Sequence, residues 1–330
     1  MTSILVIRLT SLGDVILTTP VIAALRRAFP DAGIDVAVDA AHAEVWKHNP
    51  HIRSIHCVRK GDDSLLDLPS YDLVVDLQRN RRSSSIIRSA GRSGNPQVVR
   101  YAKHRLEKLA FVYLKRKPDT ITHIVSRYAK PLEEFGLRIE GWHPELYTTS
   151  GIARRLPRTT PSASLRIGIA PGAQHATKRY PVTLMALLLQ KLVREHHADV
   201  VLVGGPADAA ICDAIEAQAG VAVTRCDGAA TIAATLDVLC ELDALVSCDS
   251  AAVHMASACG LPVTVIYGST APEFGFAPYL VPHAIVQQPD LPCRPCSHIG
   301  RADCPKGHFQ CMNSIDPAVV AQEVIRLSRQ

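Results

Sequence analysis

The sequence predicts an α/β protein made of two doubly wound, parallel-sheet domains. Short apolar runs alternate with amphipathic stretches of roughly ten to fifteen residues, the pattern of strands joined by crossover helices. The alternation runs through the first half and restarts in the second. Between the halves lies RRLPRTTPSAS at 154–164, whose proline, threonine and serine content marks a linker. A length of 330 residues accommodates two domains. The expected division is 1–155, a linker at 156–164, and 165–330.

Each element follows from its own pattern. Residues 3–8 (SILVIR) form a buried strand, and 15–29 an amphipathic helix stopped by Pro30. Strands are expected at 34–39, 52–58 and 73–77, and helices at 82–90, 104–114 and 121–135. In the second half, strands at 165–170, 200–203, 221–224, 244–247 and 263–267 alternate with helices at 181–196, 207–219, 231–242 and 251–259. The last helix starts at Asp316-Pro317, an acidic cap followed by proline at the first helical position. Sequence leaves open whether it packs back across the first domain. Two such domains place a cleft beyond the carboxyl ends of their strands, where ligands of doubly wound folds bind.

Composition narrows the function. The chain is 47% hydrophobic and 20% charged, enough apolar content for a sizeable core. Aromatic residues make up only 5%, which argues against a base-stacking surface. Residues 1–8 lack a basic segment ahead of their apolar run, so no signal peptide is expected, and no stretch reads as a membrane span. A cytoplasmic, reduced protein is the expectation. Charge is uneven: residues 1–160 hold 25 Lys and Arg against 16 Asp and Glu, although the whole chain is only +5. Between Arg79 and Lys117 there are twelve basic residues and one acid, Glu107. That run is either a solvated helix face or a surface for an anionic partner.

Four segments carry candidate chemistry. The turn after the first strand, RLTSLGDV, supplies Thr10, Ser11 and Gly13 as candidate binding residues and Asp14 as either a helix cap or a general base. It has no G-x-G-x-x-G, which removes a dinucleotide site. The turn PGAQHATKRYP contains Thr177 and Lys178 and suits a phosphate or diphosphate, although it is not a Walker loop. CDSAAVH sits where a strand meets a helix; Asp249 and Ser250 can cap it, and Ser250 and His254 share a face. Asp208, in GGPAD, either caps a helix or receives the hydroxyls of a ribose. Late in the chain Cys293, Cys296, Cys304 and Cys311 are candidate zinc ligands or reduced structural thiols, at spacings unlike a zinc ribbon. No D-x-D occurs, so a glycosyl-transfer metal bridged by that motif has no support.

ILVIRLTSLGDVILTTP, DLVVDLQRN, PGAQHATKRYP, CDSAAVH and VTVIYGST fall, in that order, as they do in glycosyltransferase family 9, the ADP-heptose:lipopolysaccharide heptosyltransferases. The chain resembles that family over nearly its whole length, and its cysteine-bearing tail at 293–312 resembles the heptosyltransferase II branch. The resemblance implies the GT-B architecture, with two Rossmann-like domains facing a central cleft. It also implies inverting, metal-independent transfer of heptose from ADP-heptose to the lipopolysaccharide inner core, with no cofactor. Asp14 then resembles the catalytic base and Lys178 the lysine on the donor phosphates. Thr177, Asp208, Asp249, Ser250, Ala251 and His254 match donor-binding positions, Ala251 standing where the motif has glycine. The acceptor would be phosphorylated Kdo-lipid A or a heptosylated inner core, met at the inner face of the inner membrane and held by Arg79, Arg81 and Arg82. Competing readings are a non-catalytic relative, a relative using another nucleotide sugar, and a zinc-bearing nucleic-acid-binding protein. The last leaves the Lys178 turn and the Asp249 motif without a purpose, so no nucleic acid is expected.

Overall fold

The computed structural model describes every residue except 1, 60–66, 93, 119, 140, 156–163 and 229–230. The chain forms two compact units, one of Met1–Lys103 with Thr122–Ile152, the other of His104–Ile121 with Ala153–Gln330. The expected linker falls, apart from Ser164, outside the described residues.

In the first unit β1 (Ser3–Ile7) is the central strand of a parallel sheet with β2 (Gly33–Asp39), β3 (Ser54–Val58), β4 (Leu73–Asp76) and β5 (Gln97–Arg100), ordered β3-β2-β1-β4-β5. That order is the doubly wound one, whose switch point lies where β1 meets β4. Its helices are α1 (Leu12–Ile16), α2 (Thr19–Ala28), α3 (Arg81–Ala90) and α5 (Ile124–Ala129), with a 3₁₀ turn at Lys130–Phe135. The single helix expected over 15–29 is two. Pro20 near the start of α2 has no N–H to continue the α1 ladder, and the Thr18 and Thr19 hydroxyls donate to the carbonyls of Asp14 and Ile16 instead. The helix expected over 121–135 likewise starts at Ile124 and tightens to 3₁₀ at Pro131. A small hairpin, β6 (Tyr147–Thr148) with β7 (Gly151–Ile152), ends the unit.

The second unit repeats the plan. Its sheet is ordered β10-β9-β8-β11-β12-β13, all parallel, from β8 (Arg166–Ala170), β9 (Asp199–Val203), β10 (Thr224–Cys226), β11 (Ala244–Cys248), β12 (Val263–Tyr267) and β13 (His283–Gln287). Every residue of β11 and β12 is buried, as strands covered on both faces must be. The covering helices are α6 (Val182–Arg194), α7 (Ala209–Ala219), α8 (Ile232–Cys240), α9 (Ala251–Cys259) and α11 (Pro317–Ser328), with a short α10 (Gln310–Asn313). Asp316 caps α11 by accepting from Ala318 N at 2.8 Å. Val320, Ala321, Val324 and Ile325 of α11 join the core of this unit, so the terminal helix stays with the second sheet.

One segment departs from the expected division at residue 155. Helix α4 (Arg105–Leu114) belongs to the second unit, although it lies in the first half of the chain. Phe111 and Val112 are buried with Ala271 and Phe274, and Lys115 Nζ donates to the carbonyls of Cys293 and Pro295 at 3.1 and 2.8 Å. These contacts are made by side chains, and linear order does not show them.

The first sheet also contains a buried carboxylate that the sequence did not single out. Asp35, 1% exposed on β2, accepts from the Tyr71 hydroxyl at 2.7 Å and from Arg53 Nε and Nη2 at 2.9 and 2.8 Å, with His56 Nε2 at 3.3 Å. Burial opposes its charge, but the hydrogen bonds from His56, Arg53 and Tyr71 outweigh this and hold its pKa well below the usual carboxylate range. Asp35→Asn should therefore lower stability near neutral pH by about 2–3 kcal/mol in urea denaturation. Because the folded pKa is depressed, the contribution is complete above the ordinary aspartate pKa, about 4, and disappears as pH falls from there toward the folded value. The gap between variant and wild type should close over that acidic range.

Candidate active site

The first unit gathers its polar groups at the carboxyl end of β1. Ser11 stands at the N-cap of α1 and Asp14 is the third residue of that helix: Ser11 N and Oγ both donate to Asp14 Oδ2, at 3.1 and 2.8 Å. The other carboxylate oxygen, Oδ1, accepts the Tyr128 hydroxyl at 2.7 Å and pairs with Arg8 Nη2 at 2.6 Å. Arg8 is buried, and its guanidinium lies 5.2 Å from the Tyr128 ring centroid. Burial opposes ionisation of Asp14, but Arg8, Tyr128 and Ser11 outweigh it and hold the pKa below its ordinary value. Asp14 is therefore not the helix cap, whose position Ser11 takes, but an ionised carboxylate within the first turn of α1. Its Oδ2 partner Ser11 is exposed, so one edge of the carboxylate borders solvent.

The segment after β4 supports this turn. Gln78 Oε1 accepts from Leu9 N at 2.9 Å and Thr10 N at 3.2 Å, pinning the loop that carries Ser11 and Asp14. Asp76, 1% exposed, accepts from Gln78 N at 3.1 Å and Arg79 N at 2.7 Å, and holds Arg79 at a left-handed φ of 50°. The three acceptor-side arginines are not equivalent. Arg79 Nη1 donates to the Tyr101 carbonyl at 3.1 Å, and Arg82 Nη2 pairs with Asp39 at 3.0 Å. Arg81, the first residue of α3, is exposed. Of the other acceptor-side candidates, Thr10 is tied by its backbone to Gln78 and Gly13 is buried within α1.

The second unit brings the donor-side candidates together. Lys178 Nζ lies 2.8 Å from Asp249 Oδ2, which also accepts the Thr270 hydroxyl at 2.6 Å. An ammonium has three N–H donors and this pair engages one, so Lys178 can still reach an anion. Ser250 caps α9 by accepting from Ala252 N at 3.4 Å, Ala251 is the first residue of that helix, and His254 is buried one turn on. Thr177 is buried, and its hydroxyl accepts from Arg301 N at 2.8 Å and from Ser269 Oγ at 2.9 Å. It braces the loop more than it faces a ligand.

Asp208 is a packing element as well. Its Oδ2 accepts from Gly205 N at 3.0 Å, and a Cβ built on Gly172 would lie 2.1 Å from its Oδ1. Gly172 lacks a side chain because the Asp208 carboxylate occupies that space. The late cysteine segment closes over the same loops. Arg294 Nε donates to Gly268 O at 2.6 Å and Nη2 to Thr270 O at 2.9 Å, while Cys296 N donates to Ser269 O at 3.0 Å. Among the described residues no three His, Cys, Asp or Glu side chains stand where they could hold a metal ion, so Cys293, Cys296, Cys304 and Cys311 do not form such a group.

The family model described as glycosyltransferase family 9 (heptosyltransferase) matches residues 65–305. The chain belongs to glycosyltransferase family 9. It is 25% identical over 284 residues to lipopolysaccharide heptosyltransferase 3 of Escherichia coli K12, spanning 78% of this chain and 80% of that one. Over 318 residues it is 25% identical to lipopolysaccharide heptosyltransferase 1 of Pseudomonas aeruginosa, covering 89% and 85% of the two chains. Among solved structures, a glycosyltransferase family 9 protein from Veillonella parvula matches with a TM-score of 0.76 at 21% identity, covering 99% and 97%. The E. coli ADP-heptose lipopolysaccharide heptosyltransferase II matches at 0.72 and 20% identity, covering 100% and 99%. The two units are thus the Rossmann-like halves of the GT-B architecture, and the chain is a glycosyltransferase. The matched stretch includes Lys178, Asp208, Asp249 and His254 and begins well after Asp14.

Sequence reasoning did not identify Arg8, Gln78 or Tyr128. The first two stand inside the quoted motifs, but Tyr128 is 114 residues from its carboxylate partner and carries no local signal.

The contact between Gly172 and Asp208 yields a stability prediction. Gly172→Ala must displace the Asp208 carboxylate and should cost about 1–3 kcal/mol in chemical denaturation. Asp208→Ala removes the obstacle, so the double variant should lose clearly less than the sum of the two single losses.

Proposed function

We propose that this glycosyltransferase moves heptose from ADP-heptose to the phosphorylated inner core of lipopolysaccharide, with inversion and without a metal ion. The names of its relatives support the sugar and the acceptor. The observation that carries the chemistry is the ionised Asp14 carboxylate at the switch point of the first sheet. The acceptor hydroxyl takes the place of the Ser11 hydroxyl on Asp14 Oδ2. As its oxygen attacks the anomeric carbon from the face opposite ADP, the proton passes to Asp14. The bond to the β-phosphate oxygen breaks, and Lys178 with the positive, amino-terminal end of α9 receives the developing charge. Arg8 and Tyr128 stay on Oδ1 throughout and keep the carboxylate aimed.

Asp249, Ser250, Ala251, His254, Thr177 and Asp208 shape the donor pocket, and no cofactor takes part. Arg81 meets the phosphorylated acceptor, while Arg79 and Arg82 act through the loops they tie. The acceptor is amphiphilic, so the enzyme works at the cytoplasmic face of the inner membrane. Ala251, where the family motif has glycine, adds a methyl beside the diphosphate position and favours one second reading, a different nucleotide sugar. Turnover measured with ADP-heptose against ADP-glucose separates the two readings.

Asp14→Asn should lower kcat by about 10²–10⁴-fold with ADP affinity by calorimetry unchanged, since the asparagine amide oxygen can still accept from Ser11 N but cannot take the proton. Near-normal turnover would remove Asp14 from the chemistry. In metal-depleted buffer with EDTA the wild type should retain full activity, because Lys178 and the start of α9 carry the leaving charge. Loss of activity restored by magnesium or manganese would contradict that assignment. Arg81→Ala should raise the acceptor KM, most at low salt where the lost attraction is least screened, and leave the donor KM unchanged.

A further inference from the structure

Helix α4 is apolar on two opposite faces. Phe111 and Val112 point into the second unit and are buried. Round the other side, Leu106, Leu109, Tyr113 and Leu114 are 82%, 45%, 69% and 76% exposed. Their spacing of three, four and one residues puts them on one continuous strip of the helix surface. A helix with apolar residues on every side is normally buried, yet this one leaves its outer strip uncovered. Basic side chains frame the strip: exposed Arg105 at the start of the helix, and Lys115, Arg116 and Lys117 immediately after its end. The acid within the helix, Glu107, lies 2.8 Å from His104.

The helix is firmly attached underneath. Lys115 Nζ donates to Val112 O, Cys293 O and Pro295 O at 2.7, 3.1 and 2.8 Å, and Lys117 pairs with Glu273 at 3.3 Å. Phe111 stacks on Phe274 with centroids 5.2 Å apart. The exposed strip is thus held out by a rigid base.

We propose that α4 is the membrane-docking element of this protein: its outer strip enters the headgroup–acyl boundary of an anionic bilayer while the flanking Arg105 and Arg116 bind lipid phosphates. Two features select this occupant. An exposed apolar strip with basic flanks is the signature of a helix lying in the membrane interface, and it needs no span. Pairing with a second copy would set Arg105 and Arg116 of one copy against the same charges of the other, because a two-fold interface opposes like patches. This goes beyond the transfer reaction, and vesicles carrying neither donor nor acceptor test it apart from that reaction.

The test is flotation of the full chain with phosphatidylcholine vesicles and with vesicles in which part of that lipid is replaced by phosphatidylglycerol. The wild type should bind the anionic vesicles at least about tenfold more tightly than the neutral ones, and added salt should weaken the binding. Leu106→Gln with Leu114→Gln keeps the net charge and helix propensity and should release the protein from anionic vesicles. Arg105→Glu with Arg116→Glu should do the same. All four side chains are exposed, so thermal melting should be unchanged. Tyr113→Trp should blue-shift its emission on anionic vesicles, which an adsorbed but uninserted helix would not. Equal binding by wild type and the leucine variant would overturn the proposal. So would failure of the wild type to bind together with a concentration-dependent dimer that the leucine variant abolishes, which would assign the strip to a second copy.

Discussion

Charge held in a buried place organises the first unit. Asp14 stands at the carboxyl end of the central strand, where burial alone would favour its neutral form. It stays ionised because Arg8 and Tyr128 occupy Oδ1 while Ser11 fills Oδ2. The rest of the unit serves that arrangement. Arg8 directly follows β1, two bonds from Ser11 orient the carboxylate, α5 supplies Tyr128, and Gln78 pins the loop between β1 and α1. A carboxylate with fixed partners on one oxygen and a replaceable hydroxyl on the other is preorganised to receive a proton from a defined direction.

The second unit holds a positive group, Lys178, against a carboxylate, Asp249. The Lys178 ammonium is positioned by Asp249, itself bonded by Thr270. Close packing of loops sets this geometry. Gly172 yields to the Asp208 carboxylate, and a Cβ on Gly268 would lie 2.8 Å from the Thr177 carbonyl. The cysteine-bearing segment, through Arg294, Cys296 and Arg301, clamps the same loops from outside.

Much of this was legible in the sequence because the strands are short, apolar and fully covered. The strands at β1, β2, β4, β8, β11 and β12 follow directly from their apolar runs. The edge strands β5 and β13 were missed because they are half exposed and polar, and β10 was displaced by a few residues for the same reason. The positions of Asp14, Lys178 and Asp249 on strand-to-helix turns were legible because the apolar strands before them end sharply. What sequence could not show was pairing across distance. Tyr128 reaches Asp14 across 114 residues, and Phe111 carries α4 into the other unit. Thr177 and Asp208 were read for ligand chemistry, and their bonds to Arg301 and Gly205 show packing roles as well.

The central claim is that the Asp14 carboxylate, held ionised by its neighbours, is the group whose protonation stops turnover. The pH dependence of kcat/KM for Tyr128→Phe against wild type tests it most directly. Removing a hydrogen bond that favours the charged form raises the pKa of Asp14, so the acidic limb should move to higher pH while the alkaline side stays in place. An acidic limb at the same pH in both proteins would contradict the account.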